Sequence, residues 1–517
     1  MMFLKEHKMR TLSQFFGKFS VITKKLVNVL FFVQSLPTRP ALGEHPRPGL
    51  LPGRGKRGAT ALMFAVSAAA FLTFVGLGTQ TGAWYLSKRT SQNAADGAAL
   101  AGALAVFWAN YPQACDTSAA NPAVAVAAQS SATDIATRNG LTGADYTITA
   151  SSPPGAGAYA TDNCAVRTQI SQTQPPLLAA LAGRTDNIVI TASATARLTA
   201  LGPVCALSLA DNLVLGSTGT TTGSSCILAS NAKDTAAAIN VLSGAIVAAR
   251  TLYSDGGCNN CSSAGVSLTS TKMVSQVMPV TTSYAAMDAV PLPTFAGLTC
   301  AAATLSGTTT QLFPTYAPTG YTNGTGKAFC NSPAGDLVVG AGKTVRLAPG
   351  TYFFQNATIN VNGGTLVCWD PVSNAACANP QGVTIIFSSS TCPCGPITIQ
   401  GGGTVTLRAP AVNSWNAAAN GLLFYQSSQV SNTGPALITG SGTTTTATLV
   451  GGMYFPVADV TINGTSTTVT SSTDNCLTLT AKGITTGGSA NVTFSNSGCS
   501  AATSTTVAQV VTAKIWE

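Results

Sequence analysis

The chain has 517 residues, of which 45% are hydrophobic and 8% charged, which excludes an intrinsically disordered protein and leaves room for two or three domains. The net charge of +9 does not indicate a nucleic-acid partner, because the excess is confined to one end. Residues 1–57 hold eleven Lys and Arg against Glu6 and Glu44, whereas residues 58–517 hold fifteen basic and fifteen acidic residues, and a nucleic-acid footprint belongs on the folded part.

In chain order, residues 1–57 read as a basic cytoplasmic segment, or as an upstream extension of the frame. The cluster LVNVLFFV at 26–33 is too short to span a bilayer. Gly58 to Ser87 then run without a charge, and Ala61 to Gly78 contain only Ser67 and Thr73 as polar side chains. A helix of roughly 24 residues covers about 36 Å, enough to cross a membrane core. Arg57 and Gly58 open this span, and Trp84 and Tyr85 stand where an aromatic belt would lie. The charge asymmetry places the N-terminus in the cytoplasm and everything beyond Tyr85 outside it. The span is longer than a signal-peptide core and no A-x-A cleavage site follows, so residues 58–84 are predicted to be an uncleaved transmembrane signal anchor.

The next stretch, SQNAADGAALAGALA, predicts a small-residue helix. Ala94, Ala98, Ala101 and Ala105 recur at three- and four-residue spacing and form a narrow packing face, while Asp96 most simply points to solvent, with a bond to a partner as the alternative. Residues 123–140 have helical spacing and end on Asn139-Gly140, a C-cap signal. YTITASS (146–152), VRTQISQ (166–172) and NIVITASATARL (187–198) alternate as half-buried strands, with a short helix at 175–183. Residues 85–200 therefore predict a small α+β domain.

From residue 201 to 517 helix signals nearly vanish, and Thr, Ser, Gly and Asn separate short strands. TINVNGGTLV from 358, TIQGGGTVTL from 398 and TINGTSTTVT from 461 resemble one another, at offsets near multiples of a rung of about 20 residues. The fold expected overall is mainly β: a transmembrane helix, the small α+β domain, and a large right-handed parallel β-helix (β-solenoid). The alternative is a β-sandwich, which would need hairpin turns that are scarce here. All fourteen cysteines follow the apolar span, as expected of disulfides in an oxidising compartment. Cys258 with Cys261, and Cys368 with Cys377, are the candidate pairs.

Catalytic signals are missing. Both histidines, His7 and His45, precede the apolar span, which removes His-based triads and His-bearing zinc sites from the exported part. Paired-carboxylate chemistry would fall to scattered Asp residues, of which Asp336, Asp370 and Asp459 are the trio that could share a face; turns and N-caps are the simpler reading. No catalytic residue, cofactor or metal is expected.

The segment from Arg57-Gly58 through Gly76, the exit Trp84-Tyr85-Leu86-Ser87-Lys88-Arg89, and Gln92-Asn93-Ala94-Ala95-Asp96-Gly97-Ala98-Ala99-Leu100-Ala101-Gly102 resembles the N-terminal region of the TadG-like proteins of tight-adherence (Flp-type) pilus assembly. The resemblance implies a single-pass inner-membrane protein of the bacterial envelope that supports assembly or anchoring of an adhesive pilus. Its partners would be the inner membrane and other pilus-assembly proteins, with a surface glycan or protein as a further partner and no nucleic acid. Met63 stands where pilins cleaved after such a glycine carry Glu, so processing into a pilus subunit is not expected. A surface adhesin, or a β-helix that binds or cleaves polysaccharide, is the alternative.

Overall fold

The computed structural model describes residues 56–517 apart from 111–121, 176–185, 270–272, 276–277, 283, 294–299, 302–304, 306, 324–327, 331–334, 389–395, 429–433, 441, 503–507 and 517. The basic segment before residue 56, the expected helix at 175–183 and the cysteines at 115, 392 and 394 thus lie outside the described residues. One helix, α1 (Lys56–Asn110), belongs up to Gly76 to a first unit and from Leu77 to a second. Between residues 63 and 77 its apolar side chains face outward: Met63, Phe64, Phe71 and Phe74 are each more than two-thirds exposed. The helix is long and apolar enough to cross a membrane.

Within the second unit, α2 (Pro122–Arg138) opens on proline, whose missing N–H costs nothing at a helix start. It closes as expected: Gly140 takes φ +89°, its N–H bonds Thr137 O at 2.9 Å, and the Leu141 N–H bonds Ala136 O at 3.2 Å. Strands β1 (Tyr146–Ser151), β2 (Ala165–Gln174) and β3 (Ile188–Ser208) form an antiparallel sheet. A fourth strand comes from the far end of the chain: Gln509–Trp516 pairs antiparallel with Thr195–Pro203 of β3. The alternation seen in the sequence sorts the sheet into faces. Val166, Ile170, Ala192, Ala194, Ala196 and Leu198 bury against the two helices.

The expected domain boundary at 200/201 falls inside β3. Gly202, at φ +154°, and Pro203 mark a change of partner. Beyond them Val204–Ser208 leaves the antiparallel sheet and pairs parallel with Ile227–Ser230 and with Leu479–Ala481. From here the strands stack in three parallel ladders. One runs, in spatial order, Leu337–Gly340, Ile359–Asn362, Ile397–Gln400, Ala436–Gly440, Val460–Gly464, Ile484–Thr486, Leu213–Leu215, Ile239–Val241 and Cys258–Asn259. Inward positions form columns of Leu, Ile and Val in one continuous core. Fully burying each such side chain contributes about 1.5–3 kcal/mol. Another ladder stacks Phe329, Phe354, Phe387, Phe424 and Phe455 at successive centroid distances of 4.8 to 6.4 Å. These parallel ladders speak against the sandwich alternative.

Two features were not legible in the repeats. The step between neighbouring strands varies, because excursions leave the ladder between rungs. The phrases at 358 and 398 are adjacent, in the register Ile359↔Ile397 and Thr365↔Thr404, and not two rungs apart. The stack is also out of chain order, since Ile484–Thr486 pairs with Leu213–Leu215 and Asn491–Thr493 with Thr220–Thr222. Across this seam six strands close a parallel ring: β3, Thr220–Ser230, Asn491–Thr493, Thr467–Thr470, Thr445–Phe455 and Leu477–Ala481. Buried Thr221 and Thr486 hydrogen-bond across it at 3.2 Å.

A strap, described at residues 273–275, 278–282 and 284–292, makes this order feasible by running up the outside of the Phe-bearing ladder. Val274 pairs beside Tyr253, and Val280 exchanges two hydrogen bonds with the buried Asn231 side chain, at 2.7 and 2.9 Å. Tyr284 reaches Thr478 at 3.1 Å, and Asp288 accepts from Tyr454 at 2.7 Å and Tyr425 at 3.1 Å.

The cysteines pair at both predicted places, Cys258 with Cys261 and Cys368 with Cys377. Cys205–Cys226 and Cys476–Cys499 add links with Cα separations of 5.7 and 4.6 Å. Replacing Asn231 by Ala leaves the Val280 amide and carbonyl buried without partners. We expect a loss of about 1–3 kcal/mol, read as a lower thermal midpoint of the full chain in detergent; an unchanged midpoint would show that the strap carries no stability.

Candidate functional site

Within the second unit, the second half of α1 packs on the antiparallel sheet, and the motif residues divide by role. Ala94, Ala95, Ala98, Ala99 and Ala103 are fully buried, with Gly102, Val106 and Phe107 also inside. Of the predicted stripe, Ala94 and Ala98 lie at its centre, while Ala101 and Ala105 are half-buried on its flank. The row continues by steps of four, through Gly102 to Val106, because a helix lying on a sheet buries two adjacent columns and not a single seam. Gly102 allows the closest approach: a Cβ there would stand 2.8 Å from Val166 Cγ1. Gly76 and Trp84 are half-buried and Tyr85 is exposed; Arg57 and Gly58 are helical, with side chains outside the described residues.

The polar members of the motif reach the edge of the sheet. Strand Gln509–Trp516 covers β3 as far as Thr195, and among the described residues no strand pairs with the outer edge of Ile188–Ala194. Lys88 Nζ donates to Thr191 O, and one turn later Gln92 Nε2 donates to Ser193 O at 3.0 Å. Gln174 at the end of β2 bonds Ser87. Asp96 does not simply face solvent: it accepts from Gln92 at 3.0 Å and lines a cavity of about 360 Å³ with Arg167, Tyr159 and Trp516. No sequence signal pointed to Arg167, whose place depends on the register Ser151–Arg167–Thr195–Trp516 across four strands.

A second cluster lies at the seam, in an open cavity of about 530 Å³ lined by Asp211, Asn212, Lys233, Asp234, Asp459 and Thr461 among others. Lys482 Nζ is 2.8 Å from Asp211 Oδ2. Asp459 Oδ1 is buried and meets no donor among the described residues. Its carboxyl is held above the usual range by burial, with Asp211 adding to the effect and Lys482 opposing it. Asp234 caps its own turn through Ala236 and Ala237, which holds its carboxyl below the usual range. Asp336, Asp370 and Asp459, the trio that could have shared a face, do not converge. Asp336 and Asp459 precede strands of one ladder four steps apart, about 19 Å at roughly 4.8 Å per step. Asp336 accepts the Thr358 N–H, and Asp370 caps a turn through Val372 and Ser373. Among the described residues no group of His, Cys, Asp or Glu is arranged to hold a metal.

Two outcomes follow. Ala98→Leu overpacks the helix–sheet contact and should cost about 1–3 kcal/mol, against a smaller loss for Ala105→Leu, measured by thermal unfolding. Asp459 has a raised folded-state value, so its contribution to stability is full below the ordinary carboxylate range and is lost as pH rises through that value. Asp459→Asn should therefore be more stable than the parent at pH 7, with the gap closing on acidification toward pH 3; denaturation midpoints across that range check the sign.

No curated protein and no solved structure matches the chain. A family model described as "Putative Flp pilus-assembly TadE/G-like" matches residues 58–105, the part of α1 that carries the apolar span, the Lys88–Gln92 edge contacts and the alanine rows. Residues 58–105 thus carry a match to the TadE/G-like family model.

Proposed function

We propose that this chain is a non-catalytic, membrane-anchored envelope protein that supports assembly or anchoring of a tight-adherence pilus, and through it surface adhesion. The observation that carries this reading is the division of α1: apolar side chains face outward over 63–77, and the following turns bury their alanines against a sheet. Residues 58–84 act as the single inner-membrane span, with the basic N-terminal segment in the cytoplasm. The domains beyond it are exported, which agrees with the disulfides. We read residues 201–517 as a right-handed parallel β-helix that holds a rigid body away from the membrane; three parallel ladders with one continuous core support this. The absence of histidine after residue 45, the turn-capping roles of Asp234 and Asp370 and the bond of Asp336 to the Thr358 N–H of the neighbouring rung favour a non-catalytic role.

A second reading, a surface adhesin that binds or cleaves polysaccharide, draws on the seam cavity with Asp211 and Asp459. Deleting the gene should abolish Flp pili in electron micrographs and reduce adherence; the full chain should restore both and Ala98→Leu only partly. Normal piliation after deletion would refute the assembly role. Release of reducing sugar from envelope polysaccharide, lost in Asp459→Asn, would refute the non-catalytic one.

A further inference from the structure

The uncovered edge of β3 and the cavity at its end form one continuous feature. Leu198 sends its N–H to Cys164 O of β2 at 2.9 Å. Residues of the same parity therefore face β2, and those of the other parity, Val189, Thr191 and Ser193, face away from it. The carbonyls of Thr191 and Ser193 confirm this direction, since they accept from Lys88 and Gln92. Their N–H groups point along the same edge and have no partner among the described residues. Val189 is 59% exposed beside them. The cavity opens where strand Gln509–Trp516 meets Thr195, and its floor is Ser193, Ala194 and Thr195. Arg167 lines it half-buried, and its guanidinium has no ion pair among the described residues. Among the described residues that line it, the one carboxylate, Asp96, is already engaged by Gln92.

We infer that this edge accepts an added β-strand from a partner polypeptide, with an acidic side chain of that strand seated against Arg167. An incoming strand continues the line of Gln509–Trp516, bonds the outward amides of Thr191 and Ser193, and displaces Lys88 and Gln92 from the two carbonyls. Those two side chains meanwhile shield an edge that would otherwise pair at random. A carboxylate matches the planar donor fork of Arg167. A peptide fits better than a sugar, because the floor of the cavity is backbone with amides at strand spacing. The inference deepens the assembly reading by naming the chemistry of the partner. The measurement below can fail while pilus formation still depends on the protein, so the two readings fail separately.

The test uses the full chain in detergent and a fluorescent heptapeptide of alternating Thr and Val with a central Asp, beside the same peptide with a central Lys. The acidic peptide should bind saturably, roughly tenfold tighter than the basic one. It should also slow hydrogen exchange at the Thr191 and Ser193 amides. Arg167→Gln should bring the two affinities together. Ser193→Pro, which removes only an outward N–H from an edge strand, should weaken both peptides; it keeps the test decisive if Arg167→Gln fails to fold. Absence of peptide binding, equal affinities that ignore Arg167, or unchanged exchange at the edge would overturn the inference. So would Arg167-dependent binding of galacturonate without binding of the peptide, which would make the cavity a sugar site.

Discussion

The pairing of Ile484–Thr486 with Leu213–Leu215 is the contact on which the rest of the structure depends. A ladder of parallel strands has two ends and needs a neighbour at every internal rung. Here the rungs that come first in the chain are internal, so their neighbours on one side are the last to be made. Until the C-terminal segment arrives, Leu213, Leu215 and Thr221 would show one side of the core to water. The return is also what brings Gln509–Trp516 back to β3, where it completes the sheet beneath α1. One closure thus finishes the ladder core and the helix-bearing sheet together. The loop it closes is long, and such non-local closure is slow relative to local pairing.

The strap is the counterpart of that closure. A chain that begins in the middle of a stack and builds toward one end must travel back along the outside to begin again at the other. Its route is marked by polar anchors that each satisfy buried groups: Asn231 on Val280, Thr478 on Tyr284, and the hydroxyls of Tyr425 and Tyr454 on Asp288. Apolar contacts of Tyr284 and Met287 with Phe353, Ile386 and Leu422 fill the space between. The strap therefore ties rungs that are far apart in the chain, and it covers an outer face rich in aromatic residues.

At the helix–sheet junction, packing and edge chemistry are served by different residues of one motif. Alanine rows let α1 lie close on β2 and β3, where a single added methyl at Gly102 would already touch Val166. Lys88 and Gln92, one turn apart on the helix, match alternate carbonyls on a strand edge, because a helical turn and two strand residues cover similar distances. This coincidence of repeats explains why polar residues interrupt an otherwise small apolar segment. It also explains why Asp96, which the local pattern places in solvent, is drawn to the cavity by Gln92.

Local pattern was enough for the elements whose partners are water or a uniform apolar environment. The apolar span of α1, the Asn139-Gly140 helix end, the alternation of β1 to β3 and the close cysteine pairs depend on neighbours within a few residues, and all were legible in the chain. The three ladders were legible as a class, from short Thr- and Gly-bounded strands, but their order was not. Offsets between similar phrases cannot separate a missing rung from an excursion, and so the strands near 358 and 398 were read as two steps apart. The seam, the fourth strand of the helix-bearing sheet, the meeting of Asp459 with Asp211, and the placing of Arg167 beside Trp516 were decided only in the tertiary structure. Each joins residues hundreds of positions apart or on separate strands, and backbone pairing between strands carries no sequence code beyond an alternation that every strand shares.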